Sequence, residues 1–237
     1  MSRAATTRTK RPAGRGRASA PAGPMLRDAR TVLRESARAM ARLERASARA
    51  VAEAAEALVA CLQSGGTAYF CGNGGSAADA QHLACELAGR FFVDRPGLPA
   101  VALTTNTSSL TAIGNDFGFE VAYSRQLEGL GRAGDVLVAL TTSGASPNVK
   151  KAVDVARARG MVVIGFTGAR GRTFAASCDY ALVSPSDVTP RVQEGHIAMG
   201  HALCELVERA LFPTEAARGT GPPSGRRAGR RPRPRRR

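Results

Sequence analysis

TAYFCGNGGSAADAQHLACELAGR, residues 67–90, is the stretch on which the fold turns. Residues 67–72 form a nearly unbroken apolar run, the pattern of a parallel strand buried on both faces. A glycine-rich turn, GNGGS at 72–76, follows at once, and the residues after it predict a helix over 76–89. Strand, tight turn and helix in that order open a βαβ unit.

The alternation repeats downstream. PAVALT (99–104), DVLVAL (135–140), MVVIGF (161–166) and DYALVS (179–184) each read as a short buried strand, with helices predicted at 120–129, 146–159 and about 190–211. Upstream, Leu26, Leu33, Ala37, Met40, Leu43, Val51, Ala55 and Leu58 recur at helical spacing, giving one long helix or two joined ones that stop at Gly65 and Gly66. The pattern predicts an α/β fold: a doubly wound three-layer sandwich with a five-stranded parallel sheet, preceded by an N-terminal helical segment. That segment has no strand of its own to cover, so its apolar stripe is expected to pack against equivalent helices of a homo-oligomer.

The formal charge of +15 over 237 residues first suggests a nucleic-acid binder. Its distribution says otherwise. Residues 1–24 carry six Lys+Arg and no acid, residues 216–237 carry nine Arg and no acid, and residues 25–215 balance 19 basic against 19 acidic side chains. The three segments are therefore a basic tail, a formally neutral domain over 25–215 and an Arg-rich tail. Both tails are too poor in apolar residues to offset the entropy of ordering, so both are expected to be disordered. Contact with nucleic acid would then be weak and confined to the tails. Five dispersed Cys form no CxxC pair or zinc-finger spacing, which suits a reducing, cytoplasmic setting; the acid-free start also has the composition of a transit peptide. No run approaches a membrane span, so no membrane partner is expected.

In a sheet of this kind, ligands lie beyond the carboxyl ends of the strands. Asn73, Gly74, Gly75 and Ser76 follow the first strand; the glycines permit close backbone approach, and Ser76 is placed to cap the next helix while facing an anion. TTSGASPN at 141–148 follows the third central strand, with the hydroxyls of Thr141, Thr142, Ser143 and Ser146 around one glycine. Hydroxyls without charges suit the phosphate of a sugar phosphate. No Walker A lysine follows either loop, and neither is GxGxxG. TGARGR at 167–172 reads as a turn without chemistry.

His82 and Glu86 share one helix face at a spacing of four, and Gln193 and His201 share another at a spacing of eight, with His196 rotated away. If the faces met over the cleft, two imidazoles, a carboxylate and an amide oxygen would form a donor set compatible with zinc. On spacing alone, an i,i+4 His and Glu pair is more often a simple surface pair than a metal site.

The motifs taken together resemble one family. CGNGGSAADAQHLACELAGRF (71–91), AIGNDFGFE (112–120), TTSGASPNVKKAVDVARARGM (141–161) and RVQEGHIAMGHALCELVE (191–208) are similar to the phosphoheptose isomerases, the sedoheptulose 7-phosphate isomerases of the sugar isomerase (SIS) domain superfamily. The resemblance implies an aldose–ketose isomerase that interconverts sedoheptulose 7-phosphate and D-glycero-D-manno-heptose 7-phosphate, the first step of ADP- or GDP-heptose biosynthesis, in a homotetramer. It implies that Ser76, Thr141, Thr142, Ser143 and Ser146 bind phosphate, and that Asn73, Asn115 and Asp116 hold sugar hydroxyls, with Gly74, Gly75, Glu86 and Gln193 also at the substrate. His82, Glu86, Gln193 and His201 match the family's zinc positions, one ion per subunit, and Glu86 and His201 its catalytic pair. Where some members carry an Asp before the R-[IV]-Q run, this chain has Thr189 and Pro190. A related branch that associates with a replication initiator lacks the full acid, base and metal set; it is the alternative reading, as a binding protein without turnover.

Overall fold

The computed structural model of the chain describes residues 23–213. Apart from Gly23 and Pro24, the expected tails at 1–24 and 216–237 lie outside the described residues, and Pro24 already belongs to a helix.

A single helix, α1 (Pro24–Gln63), precedes the sheet. The chain then runs β1 (Ala68–Gly72), α2 (Gly75–Ala88), β2 (Ala100–Ala102), α3 (Thr107–Phe117), a 3₁₀ turn (Phe119–Val121), α4 (Ser124–Leu130), β3 (Val136–Leu140), α5 (Pro147–Ala158), β4 (Val162–Gly168), α6 (Arg172–Ala175), β5 (Tyr180–Ser184) and α7 (Thr189–Leu211). All five strands are parallel, in the order β2-β1-β3-β4-β5, with Phe70 paired to Ala102 on one side and Val138 on the other. This is the expected doubly wound sandwich. The order reverses between β1 and β3, so the crevice above their carboxyl ends is the place for a ligand.

Strand side chains alternate between two cores. Phe70, Val136, Val138, Leu140, Ile164 and Phe166 face α1, α2 and α7, while Tyr69, Cys71, Leu137, Ala139 and Val163 face α4, α5 and α6. That two-sided burial explains why the strands read as continuous apolar runs rather than alternating ones.

Two expectations change. The stripe of α1 is buried within the subunit from Ala39 onward, against α7 and β5, through Leu43, Val51, Ala55 and Leu58; Met25, Leu26, Val32 and Leu33 stay exposed. The closing helix supplies the cover that the N-terminal segment lacks in its own sequence. The segment leading into GNDFGF, for which no element is predicted, is helical: Leu110, Ile113 and Phe117 recur at helical spacing in α3 although none is fully buried, and its N-terminus is fixed by Asn106, whose side chain accepts from Ser109 N at 3.0 Å.

Candidate active site

The loops after β1 and β3 meet at the switch point. Asn73 and Asn148 exchange two amide hydrogen bonds, each 2.8 Å, and the Tyr123 hydroxyl donates to Gly72 O at 2.5 Å and to Asn73 Oδ1 at 3.2 Å. Asn73 is thus a clasp between the two loops, which fixes the crevice and ties up its carboxamide. Ser76 does not cap α2: the helix starts at Gly75 with Gly74 as its cap, and buried Ser76 lies inside the first turn with its N–H donating to Asn73 O at 3.0 Å. The glycines let the helix begin one residue earlier than a side-chain cap would require.

In the second loop, buried Thr141 Oγ1 lies 3.1 Å from Ser146 Oγ, and Ser143 Oγ accepts from Ala145 N at 3.1 Å. Ser146 stands immediately before α5, whose first-turn N–H groups need partners, and its own hydroxyl caps none of them. Thr142 and Ser143 line a small cavity with Arg170, Asp187, Thr189 and Val192. TGARGR therefore brings a cation to the hydroxyl loop: Arg170 Nη2 donates to Asp187 Oδ2 at 2.8 Å, and Gly168 N donates to Thr142 O at 3.1 Å. No pattern in the chain signals this approach, because it runs through strand order. Asn115 and Asp116 lie exposed at the end of α3, bonded to each other at 2.8 Å.

The titratable residues gather where α2 meets α7. His82 Nε2 lies 2.8 Å from His201 Nε2, and Glu86 Oε1 lies 3.4 Å from His82 Nε2. Their meeting depends on close helix packing: a Cβ on Gly200 would stand 2.6 Å from both methyls of Leu83, the neighbour of His82. Gln193 comes from the same helix but lies against the first loop, where a Cβ on Gly75 would overlap its amide at 2.2 Å. Three of the four residues paired by spacing are thus brought together, and the fourth faces the glycine turn beside them. His196, rotated away from that stripe, is fully buried and edge-on to Phe166.

One carboxylate was missed. Asp79 lies three residues before His82 and so on the same face, a spacing that the sequence displayed. Burial raises its pKa while His82 and His201 act to lower it, and its Oδ2 is buried without a hydrogen-bond partner.

The SIS domain family matches residues 33–168. Phosphoheptose isomerase from Rhodospirillum rubrum is 59% identical over 162 residues, 68% of this chain and 86% of that protein. The chain belongs to the phosphoheptose isomerase family. Solved structures of family members superpose on it: one from Neisseria gonorrhoeae with a TM-score of 0.74 at 45% identity, covering 78% of this chain and 98% of that one, and one from Francisella tularensis with a TM-score of 0.76 at 36% identity, covering 79% and 100%. The initiator-associating alternative draws no support from these phosphoheptose isomerases. Among the described residues no helix is long and apolar enough to cross a membrane, and all five cysteines are free.

Proposed function

We propose that the chain is an aldose–ketose isomerase that interconverts sedoheptulose 7-phosphate and D-glycero-D-manno-heptose 7-phosphate, with Glu86 as base and His201 as acid. The observation that carries this reading is the convergence of Glu86, His82 and His201 at one end of a helix that starts at the glycine turn. The phosphate would sit on the hydroxyls of Thr141, Thr142, Ser143 and Ser146 and on the N-termini of α2 and α5, with Ser76 beside them. Asn115, Asp116 and Gln193 would reach the sugar hydroxyls.

Isomerisation moves two protons and leaves the oxidation level of the whole sugar unchanged. The Glu86 carboxylate takes a proton from the carbon beside the carbonyl, and His201 gives one to the carbonyl oxygen, producing an enediol. Glu86 then returns its proton to the former carbonyl carbon as His201 takes one from the other oxygen. Each group contributes roughly 10²- to 10⁴-fold.

Among the described residues no three His, Cys, Asp or Glu side chains are gathered as a formed metal cluster. The imidazole nitrogens share a hydrogen bond at 2.8 Å, closer than the roughly 3.3 Å expected of two tetrahedral zinc ligands at the usual bond length. The donor chemistry nevertheless fits: two imidazoles and a carboxylate converge, and Asp79, whose Oδ2 is buried without a hydrogen-bond partner, lies on the same helix face. His82, Glu86, Gln193 and His201 would hold one zinc ion per subunit. Bound there, it would polarise a substrate oxygen as a Lewis acid.

The deciding experiment is an isomerisation assay with elemental analysis. Wild type should turn over; Glu86→Gln and His201→Gln should each lose at least roughly 10²-fold in kcat with KM within a few-fold. An inactive wild type defeats the reading, and an active Glu86→Gln removes that residue as base. Equal zinc in wild type and the His82→Ala, Gln193→Ala double variant would remove them as ligands.

The same reading includes a cytoplasmic homotetramer. Exposed Met25, Leu26, Val32 and Leu33, and an apolar groove of about 390 Å³ between α1 and α7 lined by Met40, Leu43, Val51 and Leu206, are what a second copy would cover. Sedimentation as a monomer at micromolar concentration would defeat that assembly.

A further inference from the structure

A buried ion pair lies just beyond the catalytic end of α2. Arg95, in the connection from α2 to β2, and Glu208, on α7, have side chains only 0% and 3% exposed, with Arg95 Nε donating to Glu208 Oε1 at 3.0 Å. Arg95 lies outside the sequence motifs, and Glu208, which closes the 191–208 stretch, was given no role there.

Each partner is also bound to backbone. Arg95 Nη2 donates to Glu86 O at 2.9 Å, and Nη1 to Leu87 O at 2.7 Å, Gly89 O at 3.1 Å and Pro96 O at 3.0 Å. These include last-turn carbonyls of α2, which no residue within the helix can satisfy. Glu208 Oε1 accepts from Phe91 N at 3.0 Å, and Oε2 from Phe92 N at 2.7 Å and Val93 N at 3.1 Å. Burial acts to raise the Glu208 pKa, but the three amides and Arg95 outweigh it and hold the carboxyl below its usual range. The Phe212 ring covers the guanidinium at 5.5 Å.

A buried ion pair is weak evidence for stability, since apolar replacements often serve as well. This one has a distinct geometric consequence. It ties the residue that carries the Glu86 carboxylate to α7 at a point seven residues, two turns, beyond His201. The loop it shapes also places the Phe91 ring 5.8 Å from the His201 ring. Two independent paths thus run from the ion pair to the two sides of the site.

We propose that Arg95 and Glu208 are positioning residues of the isomerase, which fix α2 against α7 and so hold the Glu86 carboxylate and the His201 imidazole in working geometry. The proposal rests on the reading of those two groups as base and acid. An ångström of misplacement costs about 10²-fold at a reacting centre, whereas the hydroxyl loop of Thr141 to Ser146 lies between β3 and α5, outside the α2–α7 contact. A positioning role therefore lowers kcat and spares KM, while a purely structural role lowers the melting temperature and leaves kcat per folded molecule alone.

The test compares wild type with Glu208→Gln, which keeps shape and removes charge, and with Phe91→Leu and Phe91→Tyr at a partly buried position, using kcat, KM and thermal melts of the full chain. Glu208→Gln should lose roughly 10-fold or more in kcat with KM within about 3-fold. Phe91→Leu should lose about 3-fold in kcat and Phe91→Tyr should recover it. A folded Glu208→Gln with wild-type kcat overturns the proposal. Should Glu208→Gln fail to fold, a wild-type kcat for Phe91→Leu overturns it alone. His201→Gln is measured alongside: if it is inactive while these variants keep full kcat, only the positioning role falls, whereas an active His201→Gln removes the acid assignment and this proposal with it.

Discussion

The two halves of the candidate site are built from opposite materials. The loops after β1 and β3 are neutral, and their shape comes from neighbouring residues and a short clasp: glycines at 72, 74 and 75, a hydroxyl pair five residues apart in Thr141 and Ser146, and the Asn73–Asn148 amide exchange. The α2–α7 seam is titratable, and its defining contact joins His82 to His201, 119 positions away. Local geometry anchors one end of the substrate. Tertiary packing assembles the chemistry at the other. The division implies separable kinetics, with loop changes acting on KM and seam changes on kcat.

The sharpest way to break that division is to strip hydroxyls from the loop. Thr142→Val with Ser143→Ala removes two donors from the cavity wall, and hydrogen bonds to a charged group contribute about 1.5–3 kcal/mol each. KM for the sugar phosphate should rise at least roughly 10-fold, with kcat within about 3-fold of wild type. A kcat that drops as far as KM rises would show that the loops take part in the chemical step.

The seam can be strained without touching a titratable group. In Gly200→Ala the new methyl would stand 2.6 Å from both Leu83 methyls, so either the leucine or α7 must move. Overpacking of this kind costs roughly 1–3 kcal/mol. Thermal unfolding should register that loss, and kcat should fall several-fold with KM held, because His82 and His201 flank the contact. Combining it with Leu83→Ala should restore part of both. A Gly200→Ala enzyme that is less stable but has full kcat would mean that the His82–His201 approach tolerates displacement.

The same contrast explains what could be read from the chain. The strands were legible because burial on both faces leaves continuous apolar runs, and the loops because glycine and hydroxyl residues cluster within a few positions. α3 was passed over although Leu110, Ile113 and Phe117 recur at helical spacing, because the run is short, opens on hydroxyl residues and closes on the turn-forming Gly114, Asn115 and Asp116. The Asn73 clasp and the approach of Arg170 were hidden for another reason. Each depends on which strands are neighbours, and a single sequence displays strands but not their order. Helical spacing put His82 beside Glu86, as the structure does, whereas its other pair separates, with His201 at the seam and Gln193 at the glycine turn; only resemblance joined the two helices. Asp79 was on view at the right spacing and was passed over, since a carboxylate on a helix is ordinarily solvated.

A smaller effect tests the place where the seam's helix runs beneath the sheet's carboxyl edge. His196 stands between Gln193 and His201 on α7, is 0% exposed, and packs edge-on against Phe166 at 5.7 Å. Neither ring nitrogen has a hydrogen-bond partner, and the neighbouring Thr167 Oγ1 has none either. Burial lowers the ring's pKa from 6.5 to about 4, against a weaker raising influence of the nearby Thr167 backbone. Between those two values the unfolded chain binds a proton that the folded chain refuses. Stability therefore falls as pH drops through that window and is level with respect to this group above it. The slope is about 1 kcal/mol per pH unit once the pH is well below 6.5. Chemical denaturation at pH 8, 6.5 and 5.5 should show wild type losing ground to His196→Leu by about 1 kcal/mol over the last interval, and by about 0.4 kcal/mol over the first. A constant difference at all three pH values would mean that the ring is hydrated or paired within the fold. The active-site histidines, which are partly open to solvent, cannot produce this signal in the subtraction, because both proteins retain them.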